Sequence, residues 1–201
     1  MASGGVYQVT NRDIIEAAGQ RNVSALNYHF GNRDDLVLAV LGVTGPGLDA
    51  GRGDLGASLD VESTTHEIVH ALVVPYGGCL QSESGRHYVR IVDQLRGQFG
   101  SDSSTTAGNS AAGSDVHLNR LLGLLDRRPV AATPGVRRER LVAMVTLMTA
   151  MVAERARLIE RGGTPRMDHQ DFIENLESML VGVIEAPIPT AVSARASTTR
   201  I

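Results

Sequence analysis

Residues 9–41 combine short apolar patterns with turn and cap signals, and this segment constrains the fold more than any other. Thr10, followed three residues later by Asp13, is typical of a capping box at the start of a helix. Gly19 favours the left-handed backbone conformation that ends a helix. A second short helix is predicted at residues 22–30, and a capped third helix follows it directly. The pattern therefore predicts two short helices with a sharp turn between them, followed by a capped third helix.

The second of these helices is mostly small or polar, with Leu26 and Phe30 as its inward-facing apolar residues. A helix this short is not stable alone and must pack against its neighbours, which leaves its polar face free. This layout is that of a helix-turn-helix, in which the second helix enters the major groove of DNA. Asn32 is predicted to cap the third helix, and the negative charges of Asp34 and Asp35 in its first turn favour the helix dipole.

The stretches EAAG, SALNYHF and GNRDDL within this segment resemble the DNA-binding segment of the TetR family of transcriptional repressors. The match is closest to the subgroup with an AGQRN-type turn, and the rest of the chain agrees only in its helical pattern. The segment departs from the family at Asn27, where the family usually has Tyr. Tyr28, His29 and Phe30 then follow.

The resemblance implies an all-α, TetR-like fold with a helix-turn-helix head and a helical body that binds an effector and dimerises. It further implies a homodimeric repressor that binds double-stranded operator DNA and is released by a small-molecule effector. No enzymatic activity, catalytic residue, metal or cofactor is expected. The predicted domains are a DNA-binding head at 1–41, a Gly-rich linker at 42–60, a body at 61–185 and a disordered tail at 186–201.

The residues expected to contact DNA cluster on the short second helix and at the starts of its two neighbours. Arg and Asn side chains can read guanine and adenine edges, whereas Ser, Tyr and His reach phosphate oxygens. Arg33, just inside a helix start, would add its charge to backbone amide donors at one phosphate. The expected DNA-contacting residues are Thr10, Arg12, Arg21, Asn22, Ser24, Asn27, Tyr28, His29, Asn32 and Arg33.

Family members usually have a further helix before the two-helix reader, whereas the short, Gly-rich stretch MASGGVYQV precedes Thr10 here. The head is therefore expected to be N-terminally incomplete, either because the start of the protein lies upstream or because the head is a natural short form. The head also carries three arginines against four acidic residues, a net charge of −1. Since phosphate neutralisation supplies much of the affinity for DNA, weak operator binding is predicted.

Residues 42–60 contain six glycines and one proline. This composition predicts that the segment cannot hold a helix and joins the head to the body. Beyond it, helices are predicted at about 60–74 and 84–98, and Asp115 is predicted to cap another.

The last two predicted helices, at about 134–162 and 168–185, are the most apolar part of the body. The middle of the first, LVAMVTLMTAMVA, is apolar nearly all round, and the second carries a continuous apolar stripe. A monomer that exposed such a face would be unusual, so a second subunit is expected to cover it. The TetR resemblance implies a four-helix bundle there. The alternative is that both stripes close on their own core. The residues expected at the dimer interface are Met148, Met151, Leu176, Leu180 and Ile184.

His66, Glu67 and His70 form the pattern H-E-x-x-H, which in zinc proteases places two imidazoles on one helix face beside a general base. The sequence offers no strong third ligand downstream and no strand to hold a substrate. The ordinary interpretation is therefore two polar residues on a helix that lines a pocket or the surface. Zinc-dependent hydrolysis remains an alternative function, as does a helical dimer that does not bind DNA.

The 201 residues carry a net charge of −3, so the chain as a whole gives no sign of a nucleic-acid partner. Cys79 is the single cysteine, which excludes an internal disulfide and suits a reducing cytoplasm. No apolar stretch resembles a signal peptide or reaches the length of a membrane span. A cytoplasmic protein without membrane contact is therefore expected.

Overall fold

The chain is described by a computed structural model that covers residue 6 and residues 8–19, 28–99, 115–128 and 132–188. Within these ranges every regular element is a helix, so the predicted all-α class is confirmed. No helix in these ranges is both long and apolar enough to cross a membrane. The helices are α1 (Asn11–Ala17), α2 (Arg33–Gly56), α3 (Thr65–Gly78), α4 (Glu83–Phe99), α5 (Val116–Arg127), α6 (Pro134–Glu160) and α7 (His169–Glu185), with a 3-10 turn (Cys79–Gln81) after α3.

Local caps start several helices as the sequence predicts. At α1, the Asp13 amide donates to Thr10 Oγ1 at 3.2 Å, and the Thr10 amide donates to Asp13 Oδ2 at 2.8 Å. Gly19 follows α1 with a φ of 66°, in the left-handed region that favours glycine. Asp168 accepts from the amide of Asp171 at 2.8 Å at the start of α7. The capping box, the turn glycine and the start of α7 are therefore confirmed.

The Gly-rich segment at 42–60 does not form a linker along most of its length, because α2 runs without interruption to Gly56 and includes Pro46. Glycines on α2 permit close packing: a Cβ at Gly51 would lie 3.4 Å from Pro75, and one at Gly56 would lie 3.0 Å from Leu121. The prediction that this segment cannot hold a helix is wrong. Each glycine lowers helix propensity by only about 1 kcal/mol, and packing against α3 and α5 outweighs that cost.

A long-range contact, rather than a local cap, holds the start of α5. The side chain of Asp115 makes no cap hydrogen bond. Instead, Asp49 of α2 accepts from the backbone amides of His117 and Leu118, each at 2.9 Å. The prediction that Asp115 caps this helix is therefore corrected. α3 also extends past its predicted end, since it includes Pro75 and continues to Gly78.

The main core surrounds α3, which packs against α2, α5 and α7. α6 in turn packs against α4 and α7. The α3 positions that face this core are fully or almost fully buried, as are its partners on α6 and α7. They are Ile68, Val69, Leu72 and Val73 on α3, Met144 and Val152 on α6, and Leu176 and Leu180 on α7.

The expected dimer-interface residues belong mostly to this core. Met148, Leu176, Leu180 and Ile184 are 3%, 0%, 0% and 5% exposed within one chain. The fold of a single chain therefore already buries these four side chains, which agrees with the alternative that both stripes close on their own core. Met151 is half-buried beside the core. Residues 189–201 of the predicted tail lie outside the described residues.

Candidate functional site

Of the expected recognition helix at 22–30, the structure describes only residues 28–30. Arg21, Asn22, Ser24 and Asn27 lie outside the described residues. Residues 28–30 are helical, and Tyr28 is 87% exposed. Its ring meets that of His29, also exposed, edge to face at a centroid distance of 5.4 Å. These two side chains are open to contact by a partner.

Thr10 and Asn32 are occupied as helix caps. The Thr10 hydroxyl donates to Asp13 Oδ2 at 2.8 Å, and the two hydrogen bonds from Thr10 lower the pKa of the Asp13 carboxyl. Asn32 Oδ1 accepts from the Asp35 amide at 2.9 Å, and Asn32 Nδ2 donates to Asp35 Oδ2 at 2.7 Å. Both residues are exposed, so their part in a DNA contact would be to fix helix starts beside a phosphate.

The guanidinium of Arg33 is already bound within the chain. Its Nε donates to the Val6 carbonyl at 3.1 Å, and its Nη1 donates to Asn11 Oδ1 at 3.2 Å. Its Nη2 also donates to the carbonyls of Val6 and Val9. These bonds tie the segment before α1 to the start of α2. The predicted phosphate contact does not fit this geometry, because the donors that it needs are in use.

Two small apolar clusters fix α1 and the residues before it to the neighbouring helices. Ile15 of α1 is 6% exposed and packs with Leu36 of α2, with Ile14 and Phe30 beside them. Val6 is 1% exposed and packs with apolar residues of α2 and α4, and its amide donates to Gln94 Oε1 at 2.6 Å. The apolar face of α1 is therefore covered in part by α2.

Glu67 does not have the role that H-E-x-x-H gives it in a zinc protease. Its Oε2 accepts from the amide and the hydroxyl of Thr64, both at 2.7 Å, which completes a capping box at the start of α3. These hydrogen bonds hold the pKa of the Glu67 carboxyl below its usual value. A carboxylate bound in this way is poorly placed to activate a water between the two histidines.

Glu177 of α7 is the partner of both histidines. Its Oε1 lies 2.9 Å from His70 Nδ1, and its Oε2 lies 3.6 Å from His66 Nε2. Glu177 is 3% exposed, whereas the two imidazoles are open to solvent and stacked at a centroid distance of 6.4 Å. Within the described ranges, no group of three or more His, Cys, Asp or Glu is arranged to hold a metal ion. The cluster therefore joins α3 to α7 through the contacts of Glu177 with the two imidazoles.

A second buried polar group lies where α2 crosses α3. Arg52 is 3% exposed, and its Nη1 lies 3.8 Å from Asp49 Oδ1. Tyr76 is 2% exposed, and within the part of the chain that the structure describes neither its hydroxyl nor Arg52 Nε has a hydrogen-bond partner. Burial raises the pKa of Tyr76 well above its usual value and that of Tyr88 to about 12, while the charge of Arg52 opposes both shifts. Burial likewise raises the pKa of the Cys79 thiol.

Neither buried group was predicted from the sequence, although each left a signal there. Glu177 stands on the apolar stripe of α7, one turn from Ile173 and Leu180, where an acidic residue requires a partner. Arg52 and Asp49 lay within the Gly-rich segment that was predicted to be irregular. Once that segment is a helix, their spacing places them on one face.

No known protein-family model matches the chain, and no curated protein sequence matches it significantly. The resemblance of residues 9–41 therefore stands on the motif alone.

Proposed function

We propose that this protein is a TetR-like DNA-binding transcriptional regulator, a repressor that a small-molecule effector releases from its operator. The observation that carries the proposal is the position of α2. This helix supplies Leu36 to the cluster with α1, Val37 to the cluster with α4, and Leu48 to the main core. A change in the body can therefore reach the head through a single helix, which is what an effector-controlled reader requires.

The exposed polar groups of the head support a contact with DNA. Arg12 on α1, and Tyr28 and His29 before α2, are all exposed. Arg12 can bind a phosphate. Tyr28 and His29 lie at the end of the expected recognition helix, so they can reach the sugar-phosphate backbone when that helix enters the groove. Two such heads on a homodimer would bind a palindromic operator.

We assign the dimer contact to the outward faces of α6 and α7, because the residues first expected there are buried. Exposed positions on these faces include Ala143 and Ala150 on α6, and Ser178 and Gly182 on α7. They are small and uncharged, so the helices of two subunits could approach closely without burying a charge. We still propose a four-helix bundle between the two subunits, but with these outward-facing residues at the contact.

A mobility-shift experiment tests DNA binding directly. The 201-residue chain and a version extended by the in-frame upstream codons would each be mixed with the DNA upstream of their own gene. We expect salt-sensitive, sequence-specific binding by at least one of the two forms. Specific binding by neither form would contradict the proposal.

Variants separate a DNA contact from a general charge effect. Arg12→Ala and Tyr28→Ala in the extended form should each lower operator affinity about three- to tenfold, because each removes one phosphate contact. Arg161→Ala is the matched control, since it removes the same charge from an exposed position at the end of α6. An equal loss for Arg161→Ala would show that only net charge matters.

One observation favours the alternative of a helical dimer that does not bind DNA. Arg33 is bound to the carbonyls of Val6 and Val9 rather than open to a phosphate. This alternative predicts that both forms of the chain dimerise and that neither shifts operator DNA. The same experiment therefore decides between the two functions.

A further inference from the structure

Two buried polar side chains stand beside the contact between α2 and α3. Gly51 allows the contact, since a Cβ there would lie 3.4 Å from Pro75. The next residues along each helix are Arg52 and Tyr76, both at least nine-tenths buried. Among the described residues, neither Arg52 Nε nor the Tyr76 hydroxyl has a hydrogen-bond partner, and the charge of Arg52 acts on that hydroxyl. A buried donor without an acceptor is costly, so such a pair requires an explanation.

Asp49 only partly satisfies the charge of Arg52. Its Oδ1 lies 3.8 Å from Arg52 Nη1, which is beyond hydrogen-bond distance. Both of its oxygens already accept backbone amides, from His117 and Leu118 at the start of α5. The Asp49 carboxylate is therefore occupied by the two backbone amides of α5. The Arg52 guanidinium keeps N–H donors that it does not use, in a low-dielectric environment.

Arg52 differs in this respect from the other arginines whose Nε is buried without a partner. Arg86, for example, donates through Nη1 to the Leu80 carbonyl at 3.0 Å. Arg155 donates through Nη2 to the carbonyls of Met167 and Asp168, each at 2.8 Å. Those side chains make structural bonds to the backbone, and no such bond holds the guanidinium of Arg52.

We propose that Arg52 and the Tyr76 hydroxyl bind the carboxylate of a small organic acid, and that this acid is the effector of the proposed repressor. A carboxylate has two acceptor oxygens, which can accept hydrogen bonds from the N–H groups of Arg52 and from the Tyr76 hydroxyl. Tyr76 belongs to the same core cluster as Leu48, Cys79 and Val89, so the rest of the ligand meets apolar side chains. The effector role rests on the proposed function, whereas the binding site does not.

Calorimetry and thermal unfolding of the full chain test the site with three probes. Sodium benzoate carries the carboxylate on an apolar ring, benzamide is its neutral analogue, and inorganic phosphate is an anion without an apolar part. We expect benzoate to bind and to raise the unfolding temperature in a concentration-dependent way, and the other two to do neither. The absence of any effect of benzoate, or an equal effect of benzamide or phosphate, would overturn the proposal.

Two variants assign the binding to these residues. Arg52→Met and Tyr76→Phe should each weaken benzoate binding about tenfold or more, because each removes a buried hydrogen bond to a charged group. Arg86→Met is the matched control and should leave the affinity unchanged. Tyr76→Phe removes one unpartnered oxygen and keeps the shape of the side chain, so it carries the test even if Arg52→Met does not fold. Unchanged benzoate affinity in Tyr76→Phe would overturn the proposal.

The site and the repressor function can fail separately. Operator binding is measured without any probe, and benzoate binding is measured without DNA. If benzoate binds in a way that depends on Arg52 but does not dissociate the operator complex, the binding site is supported and its role as an effector site is overturned. Release of the operator by benzoate in the parent chain, and its loss in Tyr76→Phe, is the result that we expect.

Discussion

Glu177 stands on the apolar stripe of α7 and is nevertheless almost completely buried. A buried carboxylate is tolerated only when donors satisfy it, and His70 and His66 of α3 are placed to do so. The H-E-x-x-H pattern of α3 is thus divided between two structural tasks. Its histidines bind α7, and its glutamate caps α3. Single residues in this chain are therefore best understood from the partners that the fold gives them.

This pairing predicts that His70→Ala destabilises the fold mainly by leaving Glu177 without its nearer partner. We expect a loss of about 1 kcal/mol in the free energy of unfolding by urea, because the imidazole is half exposed and solvent screens part of the interaction. In a Glu177→Gln background the loss should fall to a small fraction of that value. His66→Ala is the internal control and should cost less, since its contact is longer. Equal losses in both backgrounds would contradict the pairing.

At the scale of elements, α2 and α4 show how the same residue type acts in opposite ways. Gly47 of α2 is exposed, and nothing lies within 4 Å of where its Cβ would be. Gly85, in the first turn of α4, would place a Cβ 2.2 Å from the backbone oxygen of Cys79. One glycine only weakens its helix, whereas the other makes a close contact between α4 and the 3-10 turn possible.

We therefore predict opposite effects of the same substitution. Gly47→Ala should raise the free energy of unfolding by about 0.5–1 kcal/mol, because it restores helix propensity at no steric cost. Gly85→Ala should lower it by about 1–3 kcal/mol, since backbone must move to admit the methyl group. Urea titrations followed by circular dichroism measure both. If Gly85→Ala instead raised the free energy of unfolding, the backbone of the 3-10 turn at Cys79 would move at a lower cost than its geometry implies.

His169, at the start of α7, should make the stability of the fold depend on pH. Burial, with a contribution from the charge of Arg155, lowers the pKa of His169 below its ordinary value of 6.5. The folded state therefore binds this proton less readily than the unfolded state does. The contribution of His169 is fully present above pH 6.5 and is lost as the pH falls through the lowered pKa. Thermal unfolding between about pH 7 and pH 5 should show this loss.

His169→Gln is the variant that isolates this effect. It keeps a polar side chain at the same position but cannot be protonated, so its stability should fall less over that pH range than that of the parent chain. His29→Gln is a control, because His29 is exposed in the head. The prediction is contradicted when His169→Gln and the parent lose stability in parallel.

At the scale of the whole molecule, the division between core and outer surface decides how a dimer can form. Leu180 is 0% exposed, whereas Gly182 on the same helix is exposed. Gly182→Arg should abolish the proposed dimer and leave the subunit folded, because the added side chain enters only the contact between subunits. Sedimentation measures the association, and urea unfolding checks the fold.

Leu180→Asp is the contrasting variant. It would place an unpaired charge in the core and should destabilise the subunit by several kcal/mol, whatever its oligomeric state. A Gly182→Arg protein that remains dimeric would move the proposed contact away from the outward face of α7.

Local signals in the sequence were sufficient for the all-helical class and for most helix starts. Thr10, Asn32 and Asp168 each cap the helix that follows, because the donor and acceptor lie within three residues of each other. The sequence could not show what depends on distant partners. The Asp49 cap of α5, the carbonyl contacts of Arg33 and the path of α2 all rest on contacts that form only when the chain has folded.

The same limit explains the revised interface. An apolar stripe shows that a helix face is buried, but its pattern is identical whether the cover is another helix of the chain or a second subunit. On α7 the cover is α3 and α6, which the order of elements alone did not reveal. The residues of the candidate organic-acid site were missed for a related reason, since their meeting depends on how α2 crosses α3.

Because α2 is unbroken, a tilt of this helix at one end displaces its other end. It contains 24 residues, so it extends about 36 Å, and roughly 28 Å separate Arg52 from Arg33 along its axis. A tilt of about 5° around the Arg52 end would move the Arg33 end by roughly 2–3 Å, which approaches the rise of one base pair. Small movements in the interior are thus magnified at the surface where the head begins.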